Sequence, residues 1–136
     1  MLSTRWVFQH IPAYFKKDGK MFTVPDDTDL IGFFLSEPTQ DSVPEDGLYV
    51  YQATDKLGVT LVFSFHEIEC SCQARLFVQN IQVAYFSQEG AQRITLQSDL
   101  SGESLICDFK IDSSVGRAEI RLTPQINVHW STLVDR

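Results

Sequence analysis

Cysteine is scarce in this chain, with three in 136 residues, and an odd number does not build a disulfide framework. Cys70 and Cys72 stand two apart. On an extended strand their Cα atoms would lie about 6.5–7 Å from each other, at or beyond the reach of a bridge. Three reduced thiols are expected, with Cys72 and Cys107 serving as small core residues. No apolar run approaches the ~18 residues that a membrane helix needs. Polar side chains interrupt the stretch from Met1 to His10 and leave no signal-peptide core. There is also no Asn-x-Ser/Thr sequon, since Asn80 is followed by Ile81-Gln82 and Asn127 by Val128-His129. These absences together point to a cytoplasmic protein.

Positive charge is also in short supply. Lys and Arg number 11 against 18 Asp and Glu, a net charge of -7. Between Met21 and Asp55 there are eight acids (Asp26, Asp27, Asp29, Glu37, Asp41, Glu45, Asp46, Asp55) and no Lys or Arg, so the rest of the chain carries -7 - (-8) = +1. Nucleic acid and anionic membrane are poor partners for such a surface, whereas a basic protein is a good one. Acids in loops also keep a protein soluble.

Catalytic signatures are missing: no G-x-S-x-G elbow, Walker loop, G-x-G-x-x-G or H-E-x-x-H. His66-x3-Cys70-x-Cys72 has the residue types of a metal site but no second pair to complete four ligands. His10, His66 and His129 could serve as acid and base in a metal-free nuclease, yet cations to stabilise a phosphorane-like transition state are sparse. Glu67 and Glu69 could form a glycosidase pair, but a chain this short has little room for a sugar cleft. Solvated acids at a strand end are the simpler reading. No catalytic, cofactor-binding or metal-binding residue is expected, and no enzyme activity.

What the chain does have is alternation. Val59, Leu61, Phe63 and Phe65 share one face. Cys72, Ala74, Leu76 and Val78 alternate with Gln73, Arg75, Phe77 and Gln79, and then come Ile81, Val83 and Tyr85. Ile94 and Leu96 follow, then Leu105, Cys107, Phe109 and Ile111, then Ala118, Ile120 and Leu122, and finally Ile126, Val128 and Trp130. Half-buried strands read this way. Ser87-Gln88-Glu89-Gly90, Ser98 to Gly102 and Asp112 to Gly116 each place a glycine near the end of a polar loop, as hairpins require. Pro124 marks a bulge, strand break or edge. In the first third, Arg5–Phe8 and Lys20–Val24 are strand candidates. Pro25 to Asp29 has the acids of a helix start, followed by Leu30, Ile31, Phe34 and Leu35 on one face. A short strand is the alternative there. Residues 36–47 read as a loop and Leu48 to Gln52 as a strand. The expectation is one domain over residues 1–136, mainly β, an antiparallel meander forming a β-sandwich or half-open barrel, with at most one or two short helices in the N-terminal third. Phe63, Phe65, Phe109 and Trp130 are expected in the core. Phe77, Phe86, Tyr49 and Tyr51 have ambiguous parity.

The segment from Leu57-Gly58-Val59-Thr60-Leu61-Val62-Phe63-Ser64-Phe65 through residue 134, with the acidic stretch before it, resembles in general character the immunity proteins of bacterial contact-dependent growth inhibition and other polymorphic toxin systems. Those are small, cytosolic, usually acidic proteins encoded beside a toxin, often a basic nuclease. The resemblance carries no diagnostic motif. It implies a non-catalytic inhibitor of a cognate toxin. On charge and position, the residues expected to meet a partner are Asp26, Asp27, Asp29, Glu37, Asp41, Glu45 and Asp46, with Tyr49 and Tyr51 as aromatic anchors. Two alternatives are a small-ligand carrier built as a β-barrel and a structural domain that self-associates, for instance as a homodimer through a strand edge.

Overall fold

The computed structural model describes residues 22–134. The acids before Leu30 do start a helix, α1 (Asp27–Phe34), with Asp27 and Asp29 in its first turn, where the helix dipole favours negative charge. Leu30, Phe33 and Phe34 are buried. Leu35 is not on the buried face: it ends the helix in the left-handed conformation and is 85% exposed. A short 3-10 turn (Pro44–Asp46) leads into β1 (Leu48–Thr54), β2 (Val59–His66), β3 (Ser71–Val78) and β4 (Ile81–Glu89). Then come β5 (Ala91–Asp99), β6 (Gly102–Ile111), β7 (Ser114–Arg121) and β8 (Asn127–Val134). Arg5–Phe8 and His10 lie outside the described residues. Of Lys20–Val24, the described part contributes one parallel bridge, Thr23 to Arg93.

The strands form two antiparallel meanders, β1-β2-β3-β4 and β5-β6-β7-β8. Each sheet keeps its own edges, so the architecture is a sandwich and not a closed barrel. One core lies between them: Leu61, Phe63, Cys72 and Ala74 from the first sheet and Leu105, Cys107, Ala118 and Ile120 from the second are fully buried. The two layers meet where Cys72 Sγ lies 3.8 Å from Cys107 Sγ. They meet again where the Phe86 and Trp130 rings stack at 5.5 Å and Trp130 donates Nε1–H to Gln88 Oε1 at 2.8 Å. Cys72 and Cys107 are thus core residues, as expected. Helix α1 lies beside β1, and Phe34 stacks on Tyr51 at 4.8 Å and on Phe63 at 6.1 Å.

Three local expectations are corrected. The stretch ending in Gly90 is not a hairpin, because β4 pairs with β3 and β5 with β6. Gly90 is a one-residue corner between the sheets. Ala91 N–H bonds Cys70 O in one sheet, and Gly90 O accepts from Lys110 N–H in the other. Gly116 lies within β7, beyond the Asp112-Ser113 turn, and its missing Cβ leaves room for the Gln88 side chain. The third correction is β4, where the register shifts between Leu76 and Phe77 and inserts Val83 as an extra residue. Beyond that bulge Ala84, Phe86 and Gln88 pair with the inward residues Leu76, Ala74 and Cys72, so Val83 and Tyr85 belong to the opposite, solvent side. Pro124 falls in the break between β7 and β8.

Candidate protein-binding face

The outer surface of the first sheet follows from ladder register. Val62 pairs with Arg75 and Arg75 with Tyr85, while Thr60 pairs with Phe77, which faces the bulge at Gln82 and Val83. All these residues have the parity opposite to Leu61, Phe63 and Ala74. They form a strip of apolar and aromatic groups in which Val83 and Tyr85 are 58% and 53% exposed. The Arg75 guanidinium sits 5.8 Å from the Phe77 ring centroid, a cation–π arrangement that holds both side chains in place. Contiguous exposed apolar groups mark contact surfaces, and Tyr and Arg are common binding anchors. Sequence reasoning missed this strip. The polar alternation of β3, with Gln73, Arg75 and Phe77 on one parity, was the signal that could have found it.

Beside the strip is a groove of about 310 Å³ whose lining includes Asp41, Ser64, His66, Glu69, Gln73 and Arg75. His66 Nδ1 accepts the Glu69 N–H at 3.2 Å, closing the turn after β2. His66 therefore lies on the outer side while Cys72 points to the core, and the two do not converge on a shared site. Among the described residues no group of three or more His, Cys, Asp or Glu is placed to hold a metal ion. Glu67 and Glu69 lie in the turn between β2 and β3. Burial raises the Glu67 carboxyl above its usual range, the Asp27 charge adds to this, and His66 opposes it.

The seven acids expected to meet a partner sit outside the core. Asp26, Asp27 and Asp29 are exposed at the start of α1, Glu37, Asp41 and Glu45 are exposed along the following segment, and Asp46 is half-buried. That segment is tied to the edge of β1. Thr39 N–H donates to Val50 O, Val50 N–H donates to Ser42 Oγ at 2.8 Å, and Val43 bridges Leu48. Glu67 N–H bonds Gly47 O, which sets the Glu45-Asp46 turn against the β2–β3 turn. Asp27 acts on Glu67, Tyr49 and Tyr51 alike, so negative potential gathers at this end of the first sheet.

The two tyrosines are placed differently from expectation. Tyr51 is fully buried and Tyr49 is half-buried. Both share parity with the core residues Phe63 and Phe65, their β2 partners, and Tyr49 stacks on Phe65 at 5.3 Å. Tyr51 forms a floor for α1 under Phe34 and is closed to a partner. The Tyr51 hydroxyl has no hydrogen-bond partner among the described residues. Burial, with Asp27, Tyr49 and Glu37 adding, pushes its pKa up to about 12.

No protein-family model matches the chain, and no curated protein matches it in sequence. A solved structure does match it in shape. It is a chain of a contact-dependent growth inhibition toxin–immunity protein complex from Klebsiella pneumoniae 342, 23% identical, with a TM-score of 0.78 over 84% of this chain and 99% of that one. This chain therefore shares its fold with one chain of a toxin–immunity complex.

Proposed function

We propose that this protein is an immunity-type inhibitor, which binds a cognate toxin domain in the cytoplasm and neutralises it without catalysis. The observation that carries the proposal is the shared fold, which spans nearly the whole of a chain taken from a toxin–immunity complex. The inhibitor side of such a pair is favoured by charge and by how the reactive groups are used. The chain is acidic at -7. Asp108 is held between Arg93 and Arg117, Asp55 staples a turn, and Cys72 and Cys107 fill the core. The partner is basic and meets the outer face of the first sheet. The acids at one end speed encounter, and the Arg75–Phe77–Tyr85 strip supplies short-range contact.

The test is co-expression and binding with the toxin encoded beside this protein. The expected outcome is protection of growth and a stable complex whose association rate falls as salt rises. Reversing Asp41, Glu45 and Asp46 to Lys slows association by roughly tenfold or more, while Tyr85→Ala acts mainly on dissociation. Failure of the neighbouring toxin to bind the folded protein would overturn the proposal.

A further inference from the structure

A second surface lies between α1 and the edge of the second sheet. Hairpin register decides which backbone groups of β5 face outward. The two-residue turn Leu100-Ser101 makes Asp99 and Gly102 the closing pair, so Gln97 with Ser104 and Thr95 with Ile106 exchange the ladder hydrogen bonds. The N–H and C=O groups of Ile94, Leu96 and Ser98 then point away from β6. Thr23 already uses the first of these positions. Its N–H donates to Gln92 O and its C=O accepts from Ile94 N–H at 2.9 Å, which is a short parallel strand addition. The chain then leaves the edge at Pro25 and enters α1.

Beyond Ile94 the outward groups of Leu96 and Ser98 have no backbone partner among the described residues, and they line a cleft of about 600 Å³. The opposite wall is α1, where Gly32 presents no side chain and a Cβ would meet nothing within 4 Å. The two charged side chains in the lining, Asp29 and Glu103, are both acidic. From Ile94 to Ser98 the edge runs about 13 Å, enough for four or five extended residues.

The geometry points to this cleft as a strand-addition site for an extended, basic polypeptide segment, which continues along β5 where Thr23 stops. Main-chain bonds to Leu96 and Ser98 supply attachment, Asp29 and Glu103 select positive side chains, and the recess at Gly32 accepts one of them. The inference does not rest on the toxin-neutralising reading, since it concerns a different face.

The experiment is amide hydrogen exchange by NMR on the full-length protein, titrated with an acetylated hexapeptide of alternating valine and lysine. A valine–glutamate hexapeptide is the control. The expected result is exchange of the Leu96 and Ser98 amides slowed by about tenfold or more at saturation. Thr95 and Gln97, already in the ladder, stay unchanged, and the glutamate peptide has no effect. Asp29→Asn with Glu103→Gln weakens binding by about three- to tenfold, the range for two exposed charge pairs. Gly32→Leu fills the recess while improving helix propensity, so the protein stays folded and binding falls by at least about tenfold. Three results would overturn the inference: Leu96 and Ser98 already protected in the free protein, equal response to both peptides, or binding that survives Gly32→Leu. Concentration-dependent protection without peptide would instead assign this edge to a second copy of the chain, and that too would overturn it.

Discussion

Replacing Gly90 by alanine tests the corner that joins the two sheets. Gly90 has φ +80°, a conformation that costs an ordinary L-residue about 1–2 kcal/mol. Space adds a second cost. The new Cβ would overlap Ile111 Cγ1 and come within 2.7 Å of Lys110 O. The side chain can turn away, but the carbonyl belongs to β6 and moves only with its strand. Overpacking of this kind costs about 1–3 kcal/mol, for a total of about 2–5 kcal/mol against a typical stability of about 5–15 kcal/mol. Gly58 provides the control. Its φ is +88° and a Cβ there meets nothing within 4 Å, so Gly58→Ala bears only the conformational cost. Urea denaturation of both variants should show Gly90→Ala less stable than Gly58→Ala by about 1–3 kcal/mol, with unchanged slope. Adding Ile111→Ala to Gly90→Ala should recover part of the gap, because it removes the side-chain overlap and leaves the carbonyl contact. Equal stability of Gly90→Ala and Gly58→Ala would refute the close packing of the corner.

Other outcomes follow from the core and its titrating groups. Phe63→Ala and Phe109→Ala, which truncate rings at 0% and 3% exposure, should each cost about 3–5 kcal/mol in denaturant melts; near-neutral effects at both would mean the buried face is wrongly assigned. Asp55 accepts N–H groups from Ile126, the residue before β8, and from Val59 and Leu57, and these hydrogen bonds lower its pKa. A lowered folded-state pKa gives stability that is present above the unfolded carboxylate value and lost as pH falls through the folded one. Asp55→Asn should therefore flatten the acid limb of the stability–pH curve, and a limb identical to wild type would reject the staple. Burial pushes the Cys70 thiol up to about 11 and Cys107 well above its usual range. A thiol reagent at pH 8 should thus modify native protein slowly, Cys70 first, with all three reacting quickly only in denaturant.

The strands with one apolar and one polar parity were legible in the sequence. Leu61, Phe63 and Phe65 are all buried, as are Leu105, Cys107 and Phe109, but in β6 the opposite parity also buries Ser104 and Ile106, which alternation did not foretell. β4 was not legible in this way, because Val83-Tyr85 and Ala84-Phe86 are both apolar pairs. An inserted residue at Val83 decides between them, and alternation alone does not reveal a bulge. A positive φ suits a hairpin and a corner equally well, so Gly90 did not disclose which one it makes. In the candidate site, the charge of the segment from Asp26 to Asp46 was evident. Its lashing to β1 through Ser42 and Thr39 was not, since those bonds depend on which strand stands at the edge. The tyrosines beside it had ambiguous parity in the sequence, and their pairing with Phe65 and Phe63 turns both inward, with α1 packing over Tyr51.

Each ladder joins strands that are neighbours along the chain, through connections of two to five residues. Synthesis delivers domains from the N-terminus, so β1–β4 can pair before β5 exists. Closing such short loops carries little entropic cost, whereas the long-range contacts arise only when the two halves dock: Cys72 with Cys107, and Asp55 with Ile126. Until then the early half holds an uncovered apolar face. Helix α1 precedes it on the ribosome and can already shield Tyr51 and Phe63. Cys72 and Ala74 have to wait for β6, which makes the interval between the two ladders the stage at which a nascent chain is most open to aggregation.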